Sequence, residues 1–420
     1  MGLVPVQTLA PVGPPKELHG FGFQWVPRFC HENIRMQAQI GVQACRSSLV
    51  SSDYEKVRQQ LTVMRLPMSV CAADPTSGVS VKSGPVARPS DDASGPVGLR
   101  LLVSCLAEND DGYFRRVEAL VWSLRTFGGA LSKAPFVAHF VEDVKPHYVS
   151  RLHDLDAQVR VVESSGERSV HANKLRMLEL ADQRDFDVLL ALDCDIAFVG
   201  DVSPWISAER FGAKPADYDY ASPAEWNLLF SRLGMVPPAR TAVATSTGRP
   251  MIPYFNSGVM FIPHQLCHPL RDAWTSNLAE IYAHSDADPS ILPFPFVADQ
   301  VALACAIQRS LTPYTLLPVG LNFPTHTAVS TKALSAATDI RILHYHANSD
   351  AAGLLYRAKC AFANPYIDRY NRDRAAWLGI RYDGLRSPPA RQEVRRAFHT
   401  RRLLVTLRVK RAMRAVRRAS

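Results

Sequence analysis

The sequence predicts an α/β fold in which a mostly parallel sheet carries helices on both faces. Two observations carry this prediction. From residue 99 to residue 193, apolar runs of strand length alternate with segments whose apolar residues recur at helical spacing. The run 188–192 is apolar at every position, which is typical of a central parallel strand buried on both sides. With 47% hydrophobic residues, the chain can bury such a core.

The first half of this region is regular. A strongly apolar strand runs into a polar turn, and the helix after it ends at Gly128, where the helical spacing of apolar residues stops. The predicted strands of this half are 99–106, 136–141, 159–162 and 188–192. The predicted helices are the one that contains Val117 and Leu124, then 149–155 and 174–180.

The second half is less regular, and prolines separate its elements. The predicted strands are 218–222, 257–262, 316–318 and 340–345, and the predicted helices are 266–284 and 298–308. A regular half followed by an irregular half indicates that the first binds one ligand and the second binds another.

Composition divides the chain into four parts. Residues 1–71 predict a mostly helical appendage, because Ser52 and Glu55 have capping-box spacing before apolar residues at helical intervals. Residues 72–98 are rich in Ala, Ser, Gly, Pro and Asp, which predicts a flexible linker. The main domain follows over 99–375, and 376–420 is a basic tail.

The eight cysteines are scattered and form no C-x-x-C pair, which favours a reducing compartment over a disulfide framework. The N-terminus has no basic start and is a poor signal peptide. Apolar runs break before about 18 residues, the length that suggests a membrane span. We therefore expect a cytoplasmic protein.

The tail holds most of the positive charge. Residues 391–420 contain eleven Arg or Lys residues against one acidic residue, so the body of the chain is close to neutral although the net charge is +9. Val405, Val409 and Val416 recur at helical spacing, which predicts a basic amphipathic helix. Such a helix would bind the anionic surface on the inner face of the membrane. A disordered, solubilising tail is the alternative. Nucleic acid is not expected, because Phe398 is the one Phe, Tyr or Trp in residues 391–420.

Two carboxylates follow the central apolar run, in Asp193-Cys194-Asp195. Carboxylates next to a buried strand are costly unless something neutralises them. Oxygen ligands of this kind suit a hard divalent cation such as Mn²⁺ or Mg²⁺, which in turn holds phosphates. The alternative is a polar turn whose aspartates cap the next segment.

Other polar motifs stand at the ends of apolar segments. Lys174 opens a predicted helix, where the helix end and its ammonium would both attract an anion, unless it is an ordinary solvated lysine. Asn256-Ser-Gly258 precedes a strand and is either a ligand-approach site or an ordinary turn. Asp299-Gln300 starts a helix, where Asp is also a common N-cap. His344 and His346 come at the end of a strand, where they are either metal ligands or structural residues held by hydrogen bonds.

Four of these motifs together resemble a known family. Their order is that found in nucleotide-sugar glycosyltransferases of the GT-A fold. The four motifs are Asp193-Cys-Asp195, Asn256-Ser-Gly-Val259, Asp299-Gln300 and Ile342-Leu-His344-Tyr345. The order is most similar to that of the family-8 retaining enzymes, over roughly residues 99–370. The resemblance implies a Rossmann-like domain that moves a sugar from a nucleotide-sugar donor, with UDP expected, to a glycan, lipid-linked or small-molecule acceptor.

The resemblance also implies roles for the acidic residues. Asp193, Asp195 and His344 would hold Mn²⁺ (or Mg²⁺), and the first two would also contact the ribose and diphosphate of the donor. Asp110 or Asp111, after the first strand, would contact the uracil or the ribose.

Further implied roles concern the reacting sugar. Asn256 would face the donor sugar, Asp299 would hold its hydroxyls, and Gln300 would lie beside the anomeric carbon. Ser257 and Gly258 would line the donor site.

The chain departs from the family pattern at two places. Lys174 stands where an arginine usually contacts the donor, and it loses the bidentate fork of that residue. The stretch from His344 to Asp350 replaces a Gly and Lys-Pro-Trp ending that often closes over the diphosphate. Asn322 lies in one further, less specific matching stretch.

Three rival interpretations remain open. A haloacid-dehalogenase-type phosphatase also has Asp-x-Asp after a strand, but Ala197 and the absence of a later Gly-Asp-x-x-x-Asp disfavour it. A nucleotidyltransferase would want a Gly-rich loop after the first strand, which residues 106–112 do not provide. An inactive nucleotide-sugar-binding protein would bind the donor without turnover.

Overall fold

The structure is a computed structural model, and it describes residues 98–165, 170–182, 185–287, 297–334 and 338–391. The predicted N-terminal appendage, the linker up to residue 97 and the tail from residue 392 lie outside the described residues. In the described part, no helix combines the length and the apolar character needed to cross a bilayer.

The first half of the domain alternates strands and helices as predicted. Its elements are β1 (Leu101–Glu108), α1 (Asp111–Phe127), β2 (Phe136–Val141), α2 (Pro146–His153), β3 (Ala157–Val162), a 3₁₀ helix (Val170–Asp182), β4 (Val188–Asp193) and β5 (Ile196–Phe198).

The second half is longer and less regular. Its elements are β6 (Phe211–Pro215), α3 (Pro223–Arg232), β7 (Ala242–Val243), β8 (Pro250–Met251), β9 (Phe255–Pro263), α4 (His264–Ala287), α5 (Ala298–Arg309), β10 (Tyr314–Leu316), β11 (Phe323–Pro324), β12 (Ile342–His344) and α6 (Asn364–Leu378). Helix α6 crosses the boundary predicted at residue 375, and Gly379 ends it with a left-handed φ of 66°.

Seven strands form the main sheet in the order β10-β6-β9-β4-β1-β2-β3. Every neighbouring pair is parallel except the two pairs that include β9. The prediction of an α/β fold with a mostly parallel sheet is therefore confirmed. Because β9 runs against its neighbours, its amino end lies at the edge where the parallel strands have their carboxyl ends.

Helices cover both faces of the sheet. Alternate residues of β4 belong to different cores, with Leu189 in one and Leu190 in the other. The first core also contains Trp274 of α4 and Leu303 of α5, whereas the second contains Phe114 of α1. The period of two along a strand thus divides the interior into two apolar layers.

Two element predictions were wrong. Residues 218–222 are not a strand, and the strand of this region is β6, in which Lys214 and Pro215 interrupt the apolar pattern. Lys174 does not open a helix, since it lies within the 3₁₀ helix (Val170–Asp182). Lys174 therefore does not stand at a helix N-terminus, and its role depends on its own contacts.

A second sheet of three short strands, in the order β11-β12-β5, lies beyond the end of β4. Strand β12 is antiparallel to β5, with His344 opposite Ile196, and the amide of Tyr345 donates to the carbonyl of Asp195 at 3.1 Å. This pairing carries His344 to the aspartates from a point about 150 residues further along the chain.

Candidate active site

The aspartate pair stands at the carboxyl end of the central strand. Asp193 is the last residue of β4, with Leu106 of β1 beside it on one side. On the other side, Leu192 pairs with Val259 of the antiparallel β9. Ligands of open α/β sheets bind at this edge, where the carboxyl end of β1 and the amino end of β9 contribute side chains.

Lys174 is buried against the aspartates rather than solvated. Its Nζ lies 2.6 Å from Asp193 Oδ1 and 4.0 Å from Asp299 Oδ2, and it donates to Ser257 Oγ at 3.0 Å. The Ser257 hydroxyl in turn donates to Asp299 Oδ2 at 3.2 Å. Burial alone would lower the pKa of Lys174, but the charges of Asp193 and Asp299 outweigh it and raise the pKa. The site therefore keeps a fixed positive charge.

A chain of hydrogen bonds fixes the orientation of His344. The Gly258 amide can only donate, and it donates to Asn256 Oδ1 at 2.9 Å. The same oxygen accepts from Asn322 Nδ2 at 3.1 Å, so Asn322 Oδ1 faces His344 Nδ1 at 2.9 Å as an acceptor. His344 then carries a proton on Nδ1, and in the neutral ring the lone pair lies on Nε2.

That lone pair points at the aspartates. His344 Nε2 is buried without a hydrogen-bond partner among the described residues, 3.2 Å from Asp195 Oδ1 and 3.8 Å from Asp193 Oδ2. A neutral imidazole supported on its other nitrogen, beside two carboxylates, is a usual ligand set for a divalent transition metal. Asp193, Asp195 and His344 therefore fit such an ion.

Asp195 is also held in its charged form. Burial would raise its pKa, but the charge of His344 when its ring is protonated, then those of His346 and Arg116, outweigh burial and lower it. An ionised carboxylate is the form that ligates a metal.

Gly258 is required by the histidine ring. A Cβ at this position would lie 2.5 Å from His344 Cε1 and 2.9 Å from His344 Nδ1. Such contacts would displace the ring, so any side chain here would disturb the site. The prediction that Gly258 permits a close approach thus has a specific partner, which is His344.

Asp299 does not cap its helix. The N-cap of α5 is Val297, which makes no side-chain capping bond, so the N-cap alternative is wrong. Asp299 is 2% exposed, and its Oδ1 has no hydrogen-bond partner among the described residues. A buried carboxylate oxygen of this kind can accept a hydroxyl from a ligand. Gln300, next to it on α5, is half-buried.

Asp110 and Asp111 are engaged away from the aspartate pair. Asp110 caps α1, since its Oδ1 accepts from the Tyr113 amide at 2.8 Å. Asp111 pairs with Lys145 at 2.7 Å, and this lowers the pKa of the Asp111 carboxyl. Neither of these contacts involves Asp193, although both residues stand just after the carboxyl end of β1.

The sequence analysis missed Arg116. Its guanidinium lies over the Tyr113 ring, 4.9 Å from the centroid, and is half-buried. Burial would lower its pKa, but the neighbouring Cys194 and Asp195 outweigh it and raise the pKa. A lone arginine on a helix gives no signal in one sequence, and only the packing of α1 against β5, just after the aspartate pair, brings it here.

Two comparisons with known proteins found similar proteins. The family model of the Rhodobacterales glycosyltransferase domain matches residues 118–310. Among solved structures, mouse xyloside xylosyltransferase 1 in its apo form is 13% identical, with a TM-score of 0.38, and the match covers 59% of this chain and 98% of that one. No curated protein matches the sequence.

The matched segment of the family model contains both Lys174 and the aspartate pair and reaches Asp299 and Gln300. The α/β fold and the domain match define the class of the protein, which is a glycosyltransferase. The phosphatase and nucleotidyltransferase interpretations find no support in these comparisons.

Proposed function

We propose that the chain transfers a sugar from a nucleoside diphosphate, with UDP expected, to an acceptor hydroxyl in a metal-dependent reaction. The observation that carries this proposal is the His344 Nε2 lone pair, buried and unpartnered beside Asp195 at 3.2 Å. A bound divalent ion, held by Asp193, Asp195 and His344, supplies Lewis-acid stabilisation of the departing diphosphate. The acceptor is a glycan, a lipid-linked group or a small molecule.

The protein's own cations add to this stabilisation. Lys174 is fixed by Asp193 and Ser257, so its ammonium needs no reorganisation as negative charge gathers on the leaving group. Arg116, stacked on Tyr113 near Asp195, supports a second contact to phosphate or ribose. Asp110 and Asp111 remain proposed contacts of the base or ribose at the end of β1.

The sugar would lie between β9 and α5. The unpartnered Oδ1 of Asp299 accepts a sugar hydroxyl, while its Oδ2 stays on Ser257. Asn256 uses its oxygen for Gly258 and Asn322, which leaves its amide nitrogen as the group that faces the sugar. As the family resemblance implies, Gln300 would lie next to the anomeric carbon, where its carboxamide oxygen would stabilise the developing positive charge.

We infer retention of configuration, as in the family-8 enzymes. An inverting enzyme needs a carboxylate free to act as base on the acceptor. Asp299 is tied to Ser257 and lies 4.0 Å from Lys174, which suits a holding role better than proton abstraction. The acceptor hydroxyl then attacks from the side of the leaving diphosphate, whose oxygen takes the proton.

The test is a donor-hydrolysis screen with the full chain, a panel of nucleotide sugars, and Mn²⁺ or EDTA. We expect Mn²⁺-dependent release of one nucleoside diphosphate, and Asp195→Asn should lower it at least about 100-fold. Asp187→Asn is the matched control, because Asp187 precedes the opposite end of β4 and pairs with Arg100 on the surface.

Near-normal release by Asp195→Asn would contradict the proposal. Donor binding without release, in the presence of a panel of acceptors, would favour the inactive binding protein instead. Release of phosphate from phosphomonoesters would favour the phosphatase.

A further inference from the structure

His346 stands beside the proposed metal site in a constrained conformation. Its φ is 43°, a left-handed value that costs free energy for a residue with a side chain. The turn brings its ring face to face with that of His344, with centroids 3.8 Å apart and the planes 14° apart. Strain of this kind persists where the surrounding structure imposes it, often at a ligand site.

The His346 imidazole has an unused nitrogen. His346 Nε2 is buried and has no hydrogen-bond partner among the described residues. Asp195, His344 and His346 each offer one ligand atom, a carboxylate oxygen or a ring nitrogen, and these three atoms lie within 4.8 Å of one another. These are the donor types and the spacing that a single cation could draw together.

The same imidazole could serve a second group, made with Asp217 and His326 within the same 4.8 Å. Asp217 is already paired with the buried ammonium of Lys214 at 2.6 Å. One carboxylate and one lysine cancel, so that group offers a cation no net negative charge. Beside Asp195, by contrast, Asp193 and Asp299 add two further carboxylates against Lys174 and Arg116, which leaves one net negative charge. The electrostatics favour an ion on the Asp195 side.

We propose that His346 is an additional protein ligand of the divalent ion, beside Asp193, Asp195 and His344, and that it makes the site select Mn²⁺ over Mg²⁺. This inference rests on the proposed function, because it concerns the same ion. Mg²⁺ prefers an all-oxygen shell, whereas a second imidazole favours a transition metal. No sequence motif assigns His346 to the metal, and its place in one cluster with Asp195 and His344 is what does.

The experiment measures metal binding by the full chain without donor. The affinities for Mn²⁺ and Mg²⁺ are obtained by calorimetry, and pulsed EPR of bound Mn²⁺ counts the coordinated ring nitrogens. The variant is His346→Asn, because asparagine tolerates a left-handed φ and so removes the imidazole with little change to the turn. His326→Asn is the matched control, since it removes the neighbouring ring of the second group.

We expect His346→Asn to weaken Mn²⁺ binding at least about tenfold, a loss seen even for groups that only support a ligand. Mg²⁺ binding should change much less, and the EPR signal should fall from two ring nitrogens to one. His326→Asn should bind Mn²⁺ like the wild type.

Unchanged Mn²⁺ binding and two ring nitrogens in His346→Asn would overturn the inference. An equal loss in His326→Asn would also overturn it, because the ion would then lie in the second group. In both cases wild-type Mn²⁺-dependent donor release would still support the proposed function. A wild type that binds no Mn²⁺ would overturn both proposals.

Discussion

Asn322 makes two hydrogen bonds of opposite direction, and these decide which nitrogen of His344 is free. Its amide nitrogen donates to Asn256 and its oxygen accepts from His344. Asn322 is not a proposed metal ligand, so it acts by positioning the ring of His344. The tautomer of His344 is thus set by a chain that begins at the Gly258 amide.

We expect Asn322→Ala to weaken Mn²⁺ binding by about 10- to 100-fold, the usual effect of losing a partner behind a histidine ligand. Asn322→Asp keeps an acceptor for His344 Nδ1 and should recover part of the loss. Calorimetric titration with Mn²⁺ measures both variants, and thermal unfolding controls for a folding defect. Wild-type affinity in Asn322→Ala would show that the orientation of His344 does not depend on this chain.

Residue type and order were enough to single out Lys174, Asp193, Ser257 and Asp299, which the structure brings into one cluster. They could be found because charged and amide side chains at the ends of apolar runs are conspicuous in one sequence. The direction of the Asn322 bonds and the approach of Arg116 could not, because they depend on packing between elements far apart in the chain.

The helices α4 and α5 are joined by an ion pair. Arg309 of α5 holds Glu280 of α4 with two bonds, 2.8 Å to Oε1 and 2.9 Å to Oε2. Helix α5 carries Asp299 and Gln300 at its other end. The Arg309 guanidinium lowers the pKa of Glu280 below its usual 4.5.

This shift makes the pair stabilising only while Glu280 is ionised. Because the folded-state pKa is lower, the contribution is fully present above pH 4.5 and is lost as the pH falls through the folded-state value. Both side chains are about one-third exposed, so solvent screening limits the pair to about 0.5 kcal/mol.

We therefore expect Glu280→Gln to lower the free energy of unfolding by about 0.5 kcal/mol at pH 7. The difference from wild type should shrink as the pH is lowered below 4.5. Urea unfolding across this pH range measures it. Glu209→Gln is the control, since the Glu209 carboxylate forms no ion pair in the described part of the chain. A difference that is independent of pH would mean that lost packing, not charge, is responsible.

Among the secondary-structure elements, those of the regular half were predictable from the sequence and β6 was not. Strand β2 agrees residue for residue because it is apolar throughout and bounded by breaks. Strand β6 (Phe211–Pro215) is five residues long with a lysine inside, and only its pairing with β9 and β10 makes it a strand. The reversed direction of β9 also depends on such pairing, so periodicity carries no sign of it.

The whole chain combines a nearly neutral body with a strongly basic end. Residues 391–420 hold eleven of its basic residues, and all but Arg391 lie outside the described residues. In the described part, residues 379–386 contact the domain, since Tyr382 donates to Asp368 at 2.8 Å and Arg386 pairs with Asp350. A deletion that begins at residue 391 therefore leaves these contacts in place.

We expect the full chain to float with anionic phosphatidylserine vesicles and the chain without residues 391–420 to remain unbound. Each basic side chain near such a surface contributes about 1 kcal/mol, so three engaged residues already change binding by about two orders of magnitude.

Val405→Asp with Val409→Asp is the matched control, because it keeps every basic residue and interrupts the apolar stripe. Binding lost in the deletion and weakened in the control would support an amphipathic helix, whereas binding kept in the control would leave charge alone as the cause. Equal flotation of the full and shortened chains would show that the tail has no role in membrane binding.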